Sequence, residues 1–324
     1  MTEPFSSFMQ RALFDPQRGY YTARIKTVGA RGDFSTSATL SPLLGKAVAR
    51  WLLQEAKATG VRTIIEVGGG DGSLMSAVLA GLGWWQRRRF RVLMVDASPV
   101  LVAQQKQKLG GRVGDWFATL PAALAACEGK ALIFHNELLD AFPVDLVQGD
   151  GERWSEVWLR HEDGGVLEER HPLTLDVQAF SALRSKAAGR CEIATAVHSW
   201  LQAWMPLWQA GAMLTIDYGD VYPALYHRRP QGTLRAYLMQ QRLTGTEVYL
   251  NPGRQDITCD VNFTDVRQWL AEGGAQETSF ETQAEFIRRW VPLPGGAREA
   301  FVTHEQGAGQ AFKCLGVRRH TKSG

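Results

Sequence analysis

The sequence predicts an α/β fold with a doubly wound parallel sheet, and three observations carry that expectation. From residue 61 onward, short apolar and β-branched runs alternate with segments of helical periodicity. The first run, Thr63-Ile64-Ile65-Glu66-Val67, breaks into Gly68-Gly69-Gly70-Asp71-Gly72 and then into an amphipathic stretch from Leu74 to Leu82, as a first strand-turn-helix unit does. The second run, Phe90 to Val95, ends in Asp96, where such sheets place an acid.

The elements follow in order. Residues 1–60 read as an N-terminal helical segment: Phe5, Phe8, Met9, Ala12 and Leu13 recur at helical spacing until Asp15-Pro16 stops them. A glycine-rich loop follows, and Ser41-Pro42 opens a second helix with the apolar stripe Leu43, Leu44, Ala47, Val48, Trp51 and Leu52. Residues 61–143 form the first half of the sheet. After Asp96 they carry a helix over 99–109, a third strand in the stretch around Arg112 to Trp116, a helix near Pro121 to Cys127 and a fourth strand, Ala131 to Phe134. In residues 144–190 the period changes to alternation, with Trp154, Glu156, Trp158 and Arg160 leading into Asp163-Gly164-Gly165, so a β-hairpin insertion is expected. Residues 191–324 return to the α/β rhythm with a helix over Val197 to Gln209 and a buried strand from Ala212 to Asp217. A loop-rich stretch, 219–262, is expected to face the substrate. The chain then reads as a helix (Phe263 to Gly273), an edge strand (Gln276 to Glu281), a helix (Ala284 to Trp290), a closing strand (Ala311 to Val317) and a disordered tail from Arg318.

Composition narrows the function. Hydrophobic residues are 45% of the 324 and charged residues 21%, enough apolar content for a substantial core. Lys+Arg 36 against Asp+Glu 33 leaves a formal charge of +3, too small to imply a nucleic-acid partner without a concentrated basic stripe. Arg87-Arg88-Arg89 is the best local candidate, and it falls where a helix hands over to a strand, as a solvated turn does. Cys127, Cys191, Cys259 and Cys314 show no Cys-x-x-Cys pair and no zinc-ligand spacing, so buried free thiols are expected. The first residues lack the n- and h-regions of a signal peptide, and no apolar run matches a bilayer span. The expectation is a soluble, cytoplasmic protein without metal, nucleic-acid or membrane partners, with a homodimer left open.

The glycine turn carries the chemistry. Gly68, Gly70 and Gly72 let the backbone turn sharply and approach a ligand with no Cβ in the way. In a nicotinamide enzyme such a turn presents a helix N-terminus to pyrophosphate. Here one acid, Glu66, ends the strand and another, Asp71, lies inside the turn, and carboxylates there repel pyrophosphate. They suit S-adenosylmethionine, whose ammonium and sulfonium groups are cationic. Asp96 is placed to accept hydrogen bonds from both ribose hydroxyls. Asp115, read as following the third strand, is either an acceptor for the adenine amino group with Trp116 stacking beside it, or a helix cap beside a core tryptophan. The fourth strand runs into His135-Asn136-Glu137, so Asn136 and Glu137 are expected at the carboxyl edge, beside the transferable methyl. His135 and Glu137 do not make a His-Glu-x-x-His metal helix, because no second histidine follows.

At these residues the chain resembles the MidA-like methyltransferases, relatives of the mitochondrial complex I assembly methyltransferase. The resemblance spans most of the chain. Its anchors are Arg11-Ala12-Leu13, Gly19-Tyr20-Tyr21, Gly32 to Ser37, Glu66 to Gly72, Asn136 to Val144, Asp217-Tyr218-Gly219, Gly232 to Tyr237, and Pro252-Gly253 through Gln255-Asp256-Ile257-Thr258 to Phe263. It implies a class I methyltransferase sheet of Rossmann-like type, S-adenosylmethionine as cofactor and a protein arginine as acceptor. A guanidinium needs a carboxylate to hold it in line, which makes Glu137 the candidate, with Asn136 orienting it. Tyr218 offers a π-face to a cation, and Asp217, Arg235 and Tyr237 line the same reading. Asp33 and Ser37, with Thr36, are expected to close over the cofactor. The chain departs from the family pattern at Ala38-Thr39, where Pro-Glu is common, at Asp260 and Asn262, where a His and an Asp are common, and at Gly69, usually Pro. The departures at Ala38, Thr39, Asp260 and Asn262 motivate a second reading, an assembly chaperone that keeps the fold, with the cofactor retained or lost, but does not transfer methyl groups. A third reading, an NAD-dependent oxidoreductase, is opposed by Asp71.

Overall fold

The computed structural model describes residues 2–24, 42–163, 165–292 and 308–320. In chain order its elements begin with β1 (Thr2–Pro4), α1 (Phe5–Phe14), α2 (Pro42–Thr59), β2 (Thr63–Val67), α3 (Ser73–Arg87), β3 (Arg91–Val95) and α4 (Pro99–Leu109). Next come β4 (Asp115–Phe117), α5 (Leu120–Ala125), β5 (Lys130–Asn136), β6 (Asp145–Asp150), β7 (Trp154–Glu162), β8 (Gly165–Pro172), β9 (Ala188–Ile193) and α6 (Thr195–Trp204). The last group is β10 (Ala210–Asp220), β11 (Arg235–Leu238), β12 (Gln241–Leu243), β13 (Asp256–Thr258), β14 (Val261–Asn262), α7 (Phe263–Glu272), β15 (Gln276–Thr282), α8 (Gln283–Trp290) and β16 (Phe312–Arg319).

These elements divide into two compact units. The parallel-sheet unit comprises Lys26–Leu138, Gln202–Asp217 and Leu270–Gly324. Its strands run in the order β15-β16-β10-β5-β2-β3-β4. The pairs β10/β5, β5/β2, β2/β3 and β3/β4 are parallel, while β15 pairs antiparallel with β16. Ile64, Ile65, Leu93, Leu132, Ile133, Phe134, Ala212 and Leu214 are all fully buried. Near-continuous apolar runs of this kind are what a parallel sheet covered on both faces requires. Gly45 of α2 lies so close to α3 that an added Cβ would stand 2.4 Å from the Ala77 methyl, so the two helices pack backbone to backbone.

The antiparallel unit comprises Met1–Ile25, Leu139–Leu201 and Tyr218–Trp269. The expected hairpin is β7 and β8, and it belongs to a larger antiparallel sheet, β1-β7-β6-β9 with β8 on β7. Thr2–Pro4, not expected as a strand, pairs with Arg160 to Trp158. The stretch 219–262, read as loop-rich, holds a three-stranded sheet β12-β11-β13 and a parallel pairing of β14 with the end of β10.

Three expectations change in detail. The helix expected to end near Leu82 continues to Arg87, with a break in helical geometry at Gly83. The third strand is shifted: β4 begins at Asp115, where the reading had ended it. The closing strand runs through Arg319, so Arg318 is ordered by its pairing with Gln276 and by two hydrogen bonds to Glu55, at 2.8 and 3.0 Å. None of the described helices is long and apolar enough to cross a membrane.

Candidate cofactor and acceptor residues

Strand β2 lies between β3 and β5, so the chain leaves it toward one side of the sheet and returns later on the other. The crevice beyond the carboxyl ends of two such strands is the topological switch point where open α/β sheets bind ligands. Val67 pairs with His135, so the glycine turn and Asn136-Glu137 emerge side by side. Gly68, Gly70 and Gly72 take φ of 66°, 53° and 83°, the left-handed region that favours glycine. A Cβ on Gly68 would stand 2.7 Å from Leu138 Cδ1, which shows how closely the two turns touch. Gly72 donates its N–H to Gly69 O at 2.8 Å and is the N-cap of α3, whose amino end therefore opens onto the turn.

The acids divide into two kinds. Glu66 is 2% exposed, its Oε2 has no hydrogen-bond partner among the described residues, and burial followed by the charges of Asp96 and Asp71 pushes its carboxyl up to about 8. Asp96 accepts from the Ser98 N–H at 2.9 Å and from Gln105 Nε2 at 2.8 Å; burial pushes it up to about 6 against the pull of those two donors. Both therefore carry latent negative charge that a cationic or hydroxyl-rich ligand would draw out.

Asp71 is different. It accepts from the Ser73 N–H at 2.9 Å and the Ser73 hydroxyl at 3.0 Å and forms an ion pair with Lys108, so it caps the start of α3 and its charge is compensated. The charge argument for the cofactor thus rests on Glu66 and Asp96.

Asp115 is a correction. It opens β4 opposite Leu93, its side chain is 59% exposed, and it lies 3.4 Å from Arg91, at the amino end of that strand. The adenine role assigned to it fails because the strand begins where it was taken to end. Trp116 is half-buried and donates its indole N–H to Gln105 Oε1 at 3.1 Å. Gln105 itself was missed. Its signal was a lone amide on the buried stripe Leu101, Gln105, Leu109 of α4, where an apolar residue is the usual occupant.

At the end of β5, Asn136 Nδ2 donates to Glu137 Oε1 at 2.9 Å, the orienting contact expected of this pair. Glu137 has φ 53°, a strained conformation for a side chain with a Cβ, held by its N–H to Ile216 O at 2.9 Å. Asp217 is fully buried and accepts the Leu138 N–H at 3.1 Å. It therefore positions the turn after β5 and is closed to an acceptor. His135, also fully buried, contacts the Thr215 hydroxyl at 3.0 Å, and burial pushes it down to about 3. It is neutral and structural.

The remaining candidates lie in the antiparallel unit. Arg235 stands over the Tyr218 ring, its guanidinium carbon 5.4 Å from the centroid, so the chain's own cation already uses that face. Arg235 also bonds to Asp260 at 2.6 Å, to Thr233 O at 3.1 Å and to the Tyr237 hydroxyl at 3.2 Å. Tyr218, Arg235 and Tyr237 form one network in which Arg235 is buried and the two tyrosines are half-buried. Asp260 pairs with Arg229 as well, and Asn262 caps α7 by accepting the Thr264 N–H at 3.1 Å. Two further pairs join segments distant in sequence: Tyr21 OH to Asp256 at 2.6 Å and Thr258 OH to Asp140 at 2.8 Å. Asp33 and Ser37, with Thr36, Ala38 and Thr39, lie outside the described residues.

These groups fit S-adenosylmethionine. The buried Glu66 carboxyl oxygen, without a partner among the described residues, answers its cationic end, Asp96 answers the ribose diol, and a turn with no Cβ leaves room for the backbone to approach.

Comparison with known proteins agrees. Residues 47–280 match the family of S-adenosyl-L-methionine-dependent methyltransferases. Among curated proteins, the mitochondrial protein arginine methyltransferase NDUFAF7 homologues of Caenorhabditis elegans and Drosophila melanogaster are 26% and 27% identical over 80% and 82% of this chain. The chain spans 66% and 65% of the length of those two relatives. Human NDUFAF7 is 24% identical over 87% of this chain and 68% of its own length. A crystal structure from Burkholderia thailandensis bound to S-adenosyl-homocysteine superposes with a TM-score of 0.86 at 27% identity, covering 98% of this chain and 88% of that one. The glycine turn, the two acids around it and the match over most of the sequence agree, and the chain belongs to the MidA-like family of S-adenosyl-L-methionine-dependent methyltransferases.

Proposed function

We propose that this chain transfers a methyl group from S-adenosylmethionine to a protein side chain, an arginine guanidinium, and that Glu137 holds the acceptor. The observation that carries the reading is the Asn136–Glu137 hydrogen bond at the carboxyl edge of β5, beside the glycine turn that follows β2. The arginine acceptor is supported by the names of the relatives described above.

Bound at the turn, S-adenosylmethionine supplies an electrophilic methyl on a sulfonium. Asn136 aims the Glu137 carboxylate, and that carboxylate accepts N–H bonds from the planar fork of the guanidinium. Holding the fork would fix one nitrogen in line with the methyl. On transfer the acceptor nitrogen would gain positive charge beside Glu137, which would take the proton that leaves. Positioning of this kind supplies about 7 to 11 kcal/mol at best. The strained φ of Glu137 is the structural sign that its placement is imposed by the neighbouring strands.

Asp260 and Asn262 each have a structural partner that explains them, so these two departures no longer speak for the chaperone reading, while Ala38 and Thr39 lie outside the described residues. A reducing, cytoplasmic setting stays part of this proposal, alongside relatives named for mitochondria. The test is incorporation of labelled methyl into extract protein, followed by mass spectrometry of the modified residue. Glu137→Gln should lower incorporation at least about 100-fold while leaving cofactor affinity within about twofold. Methyl groups found only on residues other than arginine would refute the acceptor, and undiminished transfer by Glu137→Gln would refute the role.

A further inference from the structure

We infer that Gln105 is the positioning residue of the cofactor site, joining the ribose-binding acid, the indole beside it and the glycine turn into one pre-set surface; this rests on the cofactor reading above. Gln105 is fully buried on α4 and so does not touch a ligand itself. Its amide makes three bonds at once: Nε2 donates to Asp96 Oδ2 at 2.8 Å and to Gly70 O at 2.9 Å, and Oε1 accepts from Trp116 Nε1 at 3.1 Å.

Chemistry fixes which way the amide points. An indole N–H can only donate, so the oxygen must face Trp116 and the two hydrogens of Nε2 must face the carbonyl and the carboxylate. No other side chain of this length offers one acceptor and two donors. Glutamate would set a second carboxylate against Asp96, methionine would remove the partner of three part-buried polar groups, and asparagine is one methylene short. Gln105 therefore does more than fill a core position. Its donation holds the Asp96 carboxylate in one orientation and favours its ionised form, in which it accepts from hydroxyls.

The groups facing Asp96 are the Ser98 N–H and Gln105 on its own side and Glu66 from β2, while Asp71 of the turn is paired with Lys108 and Lys106 lies over the Trp116 ring, 5.4 Å from its centroid. Methylthioadenosine is the right probe, because it has the adenine and ribose but neither the ammonium nor the sulfonium that Glu66 would sense.

Calorimetric titration of the full chain with methylthioadenosine, and separately with S-adenosylhomocysteine, from pH 5 to 8.5 tests the inference. In the unaltered protein, methylthioadenosine affinity should fall as pH drops through about 6. Gln105→Met should weaken both ligands at least about tenfold at pH 7 and move that fall to higher pH, a displacement that loss of packing alone does not produce. Trp116→Phe keeps the ring and removes the donor that orders the amide; it should weaken methylthioadenosine about threefold or more, with the fall displaced the same way, and it decides the matter if Gln105→Met does not fold. Unchanged affinity and an unchanged pH profile in the folded variants, with the unaltered protein binding normally, would overturn the Gln105 role alone. An unaltered protein that binds neither ligand would overturn the cofactor reading and this inference with it.

Discussion

Glu66 is a strongly shifted buried carboxyl in the parallel-sheet unit. A buried carboxyl pushed up to about 8 is mostly protonated at neutral pH, and a cation bound nearby favours the ionised form, so cofactor binding should expel a proton. Calorimetry at pH 7 in phosphate and in Tris should give binding enthalpies that differ by close to one proton's worth of buffer ionisation. Glu66→Gln should abolish that difference and weaken S-adenosylmethionine roughly tenfold, about 1.4 kcal/mol. The sign for folding follows from the same shift. A group whose folded value is raised contributes stability that is full below the ordinary carboxylate range and is lost as pH rises through about 8. The ligand-free protein should therefore lose stability toward alkaline pH in chemical denaturation, and Glu66→Gln should flatten that loss. At this scale the sequence named Glu66, Asp96, Asn136 and Glu137 because strand ends are visible as the place where apolar runs stop. It misassigned Asp115, because Arg112 to Trp116 shows no alternation from which a three-residue strand could be positioned.

At the scale of elements, the glycine turn and the turn after β5 behave as one interlocked pair. Gly68→Ala would combine a left-handed φ with a Cβ 2.7 Å from Leu138, and should cost about 1 to 3 kcal/mol of stability and at least tenfold in cofactor affinity, read by denaturant unfolding and titration. Gly83→Ala is the control: its φ of 70° and ψ of 166° favour glycine, yet nothing lies within 4 Å of the added Cβ, so it should cost about 1 to 3 kcal/mol and leave affinity alone. Thr282→Ala should cost about 1 kcal/mol as well, since Thr282 and Glu285 form a complete capping box at the start of α8. Boundaries were legible where such local chemistry marks them. Helix α4 spans Pro99–Leu109 because Ser98 caps it and Gly110 follows it, both readable in the chain. Strand β1 was not legible, since its three residues are a strand only through pairing with β7, more than 150 positions later.

For the molecule as a whole, ligand linkage offers a direct check on where the cofactor acts. S-adenosylhomocysteine at about 100 times its Kd should add about 2.7 kcal/mol to the unit that binds it, raising that unit's melting midpoint by roughly 5 to 10 °C in scanning calorimetry. Asp96→Ala should remove most of that rise at the same ligand concentration. A rise of equal size in the variant would place the ligand elsewhere.

The sequence by itself determined the alternation of strands and helices, the position of the glycine turn, and the acids that end β2 and β3, because these depend on neighbours a few residues apart. Only the tertiary structure decided what each polar group is for. Asp71 and Arg235 look like ligand contacts in the chain, yet Lys108 and Asp260, brought in from 37 and 25 positions away, already neutralise them. Gln105 stands on an apolar stripe of its helix, yet only packing brings Gly70, Asp96 and Trp116 to its amide. The physical reason is the same in each case. A buried polar group must find a partner, and the choice of partner is made by the folded backbone, which local sequence does not encode.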